Sequence, residues 1–452
     1  MESIVALDIE TTGLDIREDA IIEIGAVRFK DHRIESEWST LVNPGRRIPP
    51  FITQLTGITD QMVLKAPPIS RAVRELADFV GDSPVLGQNV RFDLGFLQRL
   101  GVLKDNLVLD TYELASVLLP SASRYNLGAL AAELGAPMPV THRALDDARA
   151  TRAVFLRLYE EALHLPLPIL AEIIRLSDHL DWGAHWPLRQ ALTARKNEIT
   201  SAHTLQNALR GPLFSEESLG STAGLQPMGD PLPLISDDLA ALLEPGGPFD
   251  QNFPHYEYRS QQVAMLKAVS EALSEGRHLL VEAGTGTGKS MAYLIPAAYF
   301  ALQNQRRVVI STNTINLQDQ LINKDIPDLK KALDLDLRAV VLKGRANYLC
   351  PRRLESLRRR KPETVEEMRV LAKVLVWLQG THTGARGEIN LKGPGDRDVR
   401  KRLSAEDESC NAEECLRKVG TLCPFYRARQ MALSAHLVIV NHALLLADVA
   451  TN

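Results

Sequence analysis

The sequence predicts an α/β chain of 452 residues with two α/β domains in series. Three observations predict it. Strand-like runs followed by helical patterns fill residues 3 to about 160, and a second such succession starts near residue 236. Between them "GPLFSEESLGSTAGLQPMGDPLP" gathers Gly, Pro and Ser without periodicity, as a linker does. A chain of this length has room for two or three cores, and 45% hydrophobic with 24% charged residues excludes a disordered or membrane-spanning class.

In the first domain "SIVALDIE", "AIIEIGAVRF" and "SEWSTLVNP" are rich in Val, Ile and aromatics and read as strands. Helical periodicity follows over 70–80, 93–100, 111–118 and 143–163, and again in "PLRQALTARKNEITSAHTLQNALR" within 165–210. Met1-Glu2 leads at once into a strand, so no signal peptide is expected. "LVIVNHALLLADVA" is interrupted by Asn441, His442 and Asp448 and is too short to span a bilayer, so no membrane partner is expected. With four cysteines and no export signal, the expected location is the cytoplasm.

"ALDIETTGL" sets Asp8 and Glu10 two apart on a strand, so both side chains leave the same face. Two carboxylates aimed together repel unless a cation sits between them, and hard oxygen donors suit Mg²⁺ or Mn²⁺. Asp93 opens a helix in "LGQNVRFDLGFL"; in "THRALDDARA", His142 precedes a helix that Asp146 and Asp147 open. Taken singly, each acid is as well explained as a strand-edge charge or a helix cap. The ordered set of acids with one histidine is not.

"DIETTG", "QNVRFDLGFL" and "HRALDDA" match in order and spacing the motifs of the DEDDh exonucleases, and the stretch 3–160 resembles that family. The resemblance implies an RNase H-like fold and stepwise 3′→5′ release of nucleoside monophosphates from single-stranded DNA or RNA with a free 3′ end. It implies metal ligands Asp8, Glu10, Asp93 and Asp147, with two Mg²⁺ or Mn²⁺ ions, and His142 as the base that takes a proton from water. Thr12 and Leu14 would hold the terminal sugar and base. Asp110 in "VLDTYELA" matches a recurrent family acid outside the quartet, and Gln88 stands where the family often has His.

In the second domain "GRHLLVEAGTGTGKSMAYLIPAA" reads as a strand, a glycine-rich turn and a helix start that cradle nucleotide phosphates. The loop runs Ala283, Gly284, Thr285, Gly286, Thr287, Gly288, with Lys289 for the β/γ oxygens and Ser290 for Mg²⁺. Upstream, Arg259 and Gln262 in "YEYRSQQ" are spaced like an adenine-reading element, which makes ATP the expected cofactor. Downstream, "RVVISTNTINLQDQL" looks like an element that contacts a nucleic-acid backbone through hydroxyls.

Cys350, Cys410, Cys415 and Cys423 lie in the most basic part of the chain, and their spacing alone leaves zinc and iron–sulfur both open. Between Lys343 and Arg402 there are 16 Lys/Arg against 7 Asp/Glu, a local +9 in a chain of net charge −4, as a phosphate backbone would require. Such a run also occurs as a solvated helical face.

"LLEPGGPFDQNF", "YEYRSQQ", "EAGTGTGKS", "GRANYLC", the later cysteines and "VIVNHALLLAD" together resemble the DinG-type branch of the XPD-like superfamily 2 helicases over 236–452. That resemblance implies a 4Fe–4S cluster on Cys350, Cys410, Cys415 and Cys423, set in an insertion of a RecA-like ATP-binding domain. The domains implied are an exonuclease over 1–163, a helical segment and linker over 164–235, a RecA-like part over 236–345, a cysteine-rich insertion over 346–430 and a return to the RecA-like fold over 431–452. A branch of this family carries an N-terminal DEDDh nuclease and serves DNA repair or replication.

After Ser290 no Asp-Glu pair ends an apolar strand, Asp407-Glu408 lying in a polar run, and a second RecA-like domain is not expected within these residues. The expectation is a partial helicase, apparently truncated before its DEAH motif, that binds ATP but hydrolyses it slowly or not at all. The alternative from another class is a redox- or ATP-responsive nucleic-acid-binding protein without helicase activity.

Overall fold

A computed structural model of the chain describes residues 2–138, 142–195, 224–227, 229–393, 395–405, 410–419 and 423–451. The helical pattern expected beyond residue 195, the first part of the linker and the Asp407-Glu408 pair lie outside the described residues. Among the described residues two compact units form. The first takes those from 2 to 195 together with Arg353–His382 and Gly387–Arg402; the second takes those from 224 to 352, Thr383–Arg386 and those from 403 to 451.

The first unit is built on a five-stranded sheet in the order β3-β2-β1-β4-β5, with β1 Ile4–Thr11, β2 Ile21–Lys30, β3 Arg33–Leu41, β4 Val85–Gly87 and β5 Val108–Asp110. β1, β2 and β3 form an antiparallel meander; β4 and β5 join parallel to β1. This is the RNase H-like arrangement that the motifs lead one to expect. β1 lies at the centre, which accounts for its near-continuous apolar run: Ile4, Val5, Ala6, Leu7 and Ile9 are all buried. Only Asp8 and Glu10 break that run, near its C-terminal end.

The Ala144–His164 helix packs on β1 and β2, with Phe155 edge-on to Phe29 at 6.2 Å between ring centres. Its first turn approaches so closely that a Cβ on Gly25 of β2 would stand 2.2 Å from the Leu145 backbone nitrogen. Gly25 pairs with Asp8 across the strands, so this small residue seats the helix beside the acidic pair.

Several cations in the part of the basic segment that joins this unit are held in ion pairs. The Val365–Trp377 helix packs against the Thr111–Leu118 and Leu167–Ser177 helices. Arg369 pairs with Glu113 and Asp396, both at 3.1 Å, and Lys373 with Asp396 at 3.5 Å. Arg358 reaches Glu172 at 3.1 Å, while Arg360 and Arg402 both reach Glu367. Much of the local positive charge therefore holds the fold together, because buried charges are tolerated only when paired.

The second unit carries a parallel sheet in the order β6-β8-β7, with β6 Val308–Thr312, β7 Ala339–Val341 and β8 Leu437–Asn441. The Ser260–Glu275 and Lys289–Asn304 helices contribute Leu266, Leu294 and Ile295 to a core completed by Leu437 and Ile439. The strand expected before the glycine-rich turn is not formed: residues 277–284 have no assigned strand, and Leu280 is 98% exposed. A strand needs a neighbour to take its backbone hydrogen bonds, and among the described residues none pairs with this stretch.

Gly25→Ala is expected to lower stability by about 2–3 kcal/mol, through overpacking against the helix backbone. Urea unfolding of the full chain measures it, and an unchanged midpoint would refute the close approach.

Candidate functional site

The acidic site grows from the C-terminal half of β1. Asp8, Glu10 and Asp147 each offer a carboxylate oxygen within 4.8 Å of the others, although Asp147 comes from a helix 137 positions further on than Glu10. Asp147 Oδ1 is buried and has no hydrogen-bond partner among the described residues. An orphaned carboxylate oxygen facing two more carboxylates is a donor set for a hard cation.

Asp93 lies just outside that tight group, in the first turn of the Arg91–Arg99 helix, 5% exposed. Its Oδ1 accepts the Ile9 N–H at 3.1 Å, between the two strand acids. β4 is too short to take that N–H, its pairing with β1 ending at Ala6↔Leu86, and the helix carboxylate substitutes for the missing strand.

The electrostatics follow from burial and crowding. Burial first, then the Asp93, Asp147 and Glu10 charges, push the Asp8 carboxyl well above its usual range. Glu10 is raised to about 8 by burial, then by Asp147 and Glu23. Burial also raises Asp93 to about 7 and Asp147 to about 6, with His142 partly countering it at Asp147. Such a cluster binds protons unless a cation replaces them.

His142 is exposed, and its Nδ1 stands 4.0 Å from Asp147 Oδ2. Asp146 instead pairs with Arg149 at 3.0 Å, so of the two adjacent aspartates only Asp147 reaches the site. Leu14 is 84% exposed beside the acids, whereas the buried Thr12 hydroxyl is engaged with Asp19 and the Ala20 N–H.

Sequence reasoning passed over one positioning residue, Glu23, and gave another, Asp110, no role. Glu23 on β2 faces Glu10 in the strand register and is 4% exposed. It accepts the Arg143 guanidinium, at 2.6 Å from Nη2, and the Ala144 N–H at 3.0 Å, which ties down the start of the helix that carries Asp147 and follows His142. The signal was a glutamate inside the apolar run "IIEIGAV". Asp110 caps the Thr111–Leu118 helix through the Tyr112 N–H and accepts the Asn89 and Val90 N–H groups. It thereby shapes the turn before Asp93, in which Asn89 has φ 56°.

In the second unit the phosphate-loop residues converge. Gly286 and Gly288 have φ 84° and 77°, a conformation that favours glycine, and Gly288 precedes the first residue of the Lys289–Asn304 helix. Lys289 Nζ donates to the Ala283 and Gly284 carbonyls at 2.8 Å, and Thr287 Oγ1 to Gly284 O at 3.0 Å. Arg259 reaches Gly286 O at 2.7 Å, and Gln262 reaches Gly288 O at 2.8 Å. Thr285 lies in the same turn, and Ser290 is in the first turn of the helix.

The cysteines come together as well. Cys350, Cys415 and Cys423 are buried and Cys410 is half-buried. The Cys415 thiol is raised by burial, then by Cys410 and Cys350; Cys423 is pushed up to about 11 by burial, with Cys410 and Cys415 also raising it.

Residues 5–155 match the family model described as Exonuclease (RNase_T), and residues 261–363 match that of the DEAD/DEAH box helicases. The "3'-5' exonuclease DinG" of Bacillus subtilis (strain 168) is 33% identical over 453 residues, covering 98% of this chain and 47% of the relative. The protein of the same name from Staphylococcus haemolyticus is 28% identical over 396 residues, covering 86% and 42%. The chain thus spans about half the length of the curated relatives it matches. Among solved structures, Exonuclease X in complex with 5′ overhanging duplex DNA is 27% identical, with a TM-score of 0.29 over 35% of this chain and 91% of that one. The nuclease domain of 3'hExo, a DEDDh family member bound to rAMP, is 19% identical, with a TM-score of 0.32 over 35% and 92%. Among the described residues no helix is long and apolar enough to cross a membrane.

The raised carboxyls carry a signed prediction. In the folded, metal-free chain they hold protons that the unfolded chain has released. Stability therefore falls as pH rises from the usual carboxyl range toward 8, where Glu10 ionises. Glu10→Gln removes that penalty and is expected to raise Tm at pH 8 in chelator by about 2 °C or more. The gain should vanish at pH 4; a gain of equal size at both pH values would count against charge crowding.

Proposed function

We propose that this chain, which joins an exonuclease domain to a DEAD/DEAH box helicase domain, is a divalent-metal-dependent 3′→5′ exonuclease of single-stranded nucleic acid. One observation carries the reading: oxygens of Asp8, Glu10 and Asp147 gathered within 4.8 Å, with a buried, unpartnered Asp147 oxygen among them. Asp8, Glu10, Asp93 and Asp147 would hold two Mg²⁺ or Mn²⁺ ions, which supply activation of the attacking water and stabilisation of the leaving 3′-oxygen. His142, exposed at the rim, takes the proton from that water. The Glu23–Arg143 pair keeps the start of the helix, and with it Asp147, in register with β1. Leu14 provides an exposed apolar surface for the terminal base. Single-stranded DNA is the substrate proposed first, with RNA as the comparison, and DNA repair or replication is the setting that fits the resemblance.

The second unit is proposed to bind ATP through Lys289, Ser290 and the loop backbone, with Arg259 and Gln262 toward the adenine. Cys350, Cys410, Cys415 and Cys423 are proposed to ligate a 4Fe–4S cluster. Their mutual proximity supports a shared metal site, and the resemblance to the DinG-type helicases favours the cluster over zinc.

Digestion of end-labelled single strands with free or blocked 3′ ends tests the nuclease. Free ends should be shortened stepwise and blocked ends spared, and Asp8→Ala with Asp93→Ala should abolish cutting. His142→Ala is expected to slow it about 100-fold or more. Equal loss from blocked ends, or activity surviving the double substitution, would overturn the proposal.

For the second unit, Lys289→Ala should remove binding of a fluorescent ATP analogue without altering exonuclease rate. Chain purified without oxygen should be brown, and Cys423→Ser should bleach it. A colourless parent chain containing zinc would refute the cluster.

A further inference from the structure

We infer that the first unit holds a second nucleic-acid contact, a cleft closed by residues of the cysteine-rich segment, which takes the phosphate backbone of a single strand near the catalytic acids. The inference rests on the exonuclease reading and adds to it where the strand is held.

The cleft has a volume of about 820 Å³, within the range of clefts that hold ligands. Exposed Arg91 and Arg124 line it from the exonuclease side and exposed Lys392 from the inserted segment. None of the three has an ion pair or hydrogen bond among the described residues. The contrast with the surrounding cations is informative. Arg358, Arg360, Arg369, Lys373 and Arg402 are each held by a carboxylate. The opposing acids on the wall are largely spent: Glu113 is paired with Arg369 and Asp110 accepts backbone N–H groups. Glu366 is the remaining lining carboxylate, leaving an excess of positive charge facing open space. Unpaired guanidinium and ammonium groups around a cleft fit a chain of phosphates better than an apolar or cationic ligand.

The inserted segment is pinned so that Lys392 belongs to this cleft. Asn390 N donates to Pro120 O and Asn390 Nδ2 to Ala122 O, both at 2.8 Å, while Lys373 Nζ donates to Asn390 O at 2.8 Å. Lys392 follows two residues later. On the other wall, Arg91 and the catalytic Asp93 share the first turn of one helix, and Asp93 bonds to Ile9 between the two strand acids. Arg91 thus stands on the helix that positions Asp93, although two positions apart their side chains leave different sides of it.

The test uses the full chain and a triple variant, Arg91→Ala, Arg124→Ala and Lys392→Ala, all at exposed positions. Binding of a single strand of about 12 nucleotides is followed by fluorescence anisotropy across salt concentrations in chelator. Loss of three phosphate contacts should reduce the slope of log Kd against log salt by about 2. The ratio of kcat/KM for that strand to kcat/KM for a dinucleotide should fall roughly tenfold, because the dinucleotide has too few phosphates to fill the cleft. Lys392→Glu alone should shift both readouts the same way. A parental salt slope and a parental length preference in these variants would overturn the inference. If the parent chain cuts neither substrate, the nuclease reading fails, and the salt slope still decides the cleft.

Discussion

Mutual repulsion among buried carboxylates is the constraint around which the first unit is arranged. Asp8, Glu10, Asp93, Asp147 and Glu23 surround one end of β1, and burial denies them the water that would screen them. The fold answers locally. Glu23 is neutralised by Arg143, Asp93 is held by the Ile9 N–H, and the remaining acids shift toward protonation or a cation. The same contacts set the geometry, since the Arg143 pair seats one helix and the Ile9 bond seats another. Stability is given up at this spot so that cations can be gathered there.

A second use of charge runs through the basic segment. In solvent, sixteen lysines and arginines in sixty residues would form a diffuse positive field. Here several are drawn into ion pairs: Arg369 ties the Val365–Trp377 helix to Glu113 of the exonuclease domain, and Asp396 is fully buried between Arg369 and Lys373. Breaking such a pair from one side leaves an uncompensated charge, so the contact is specific and not easily slid. The nuclease domain and the segment following Cys350 thus share one structural unit, although the motifs assign them to different domains.

The second unit shows the same economy on a smaller scale. Lys289, Arg259 and Gln262 lie on carbonyls of the phosphate loop, which keeps their polar ends satisfied. The neighbouring apolar residues Leu279, Leu280 and Val281 remain uncovered, because no strand stands beside them among the described residues.

The sequence by itself determined the α/β order, the three opening strands and the positions of the acidic motifs, because apolar runs and helix-start signals are local. It also placed Asp8 and Glu10 on one face, since alternation along a strand needs no partner. The resemblance also named the four acids, Asp147 rather than Asp146 among them, but only the tertiary structure decided how they are held. Asp93 stands slightly apart from the other three, and Glu23 and Asp110 act as anchors. The strand before the phosphate loop, legible as apolar sequence, is left unformed for want of a neighbour. The destination of the basic segment likewise lay beyond local reading: charge is a property of residues, but pairing is a property of what the fold brings within reach.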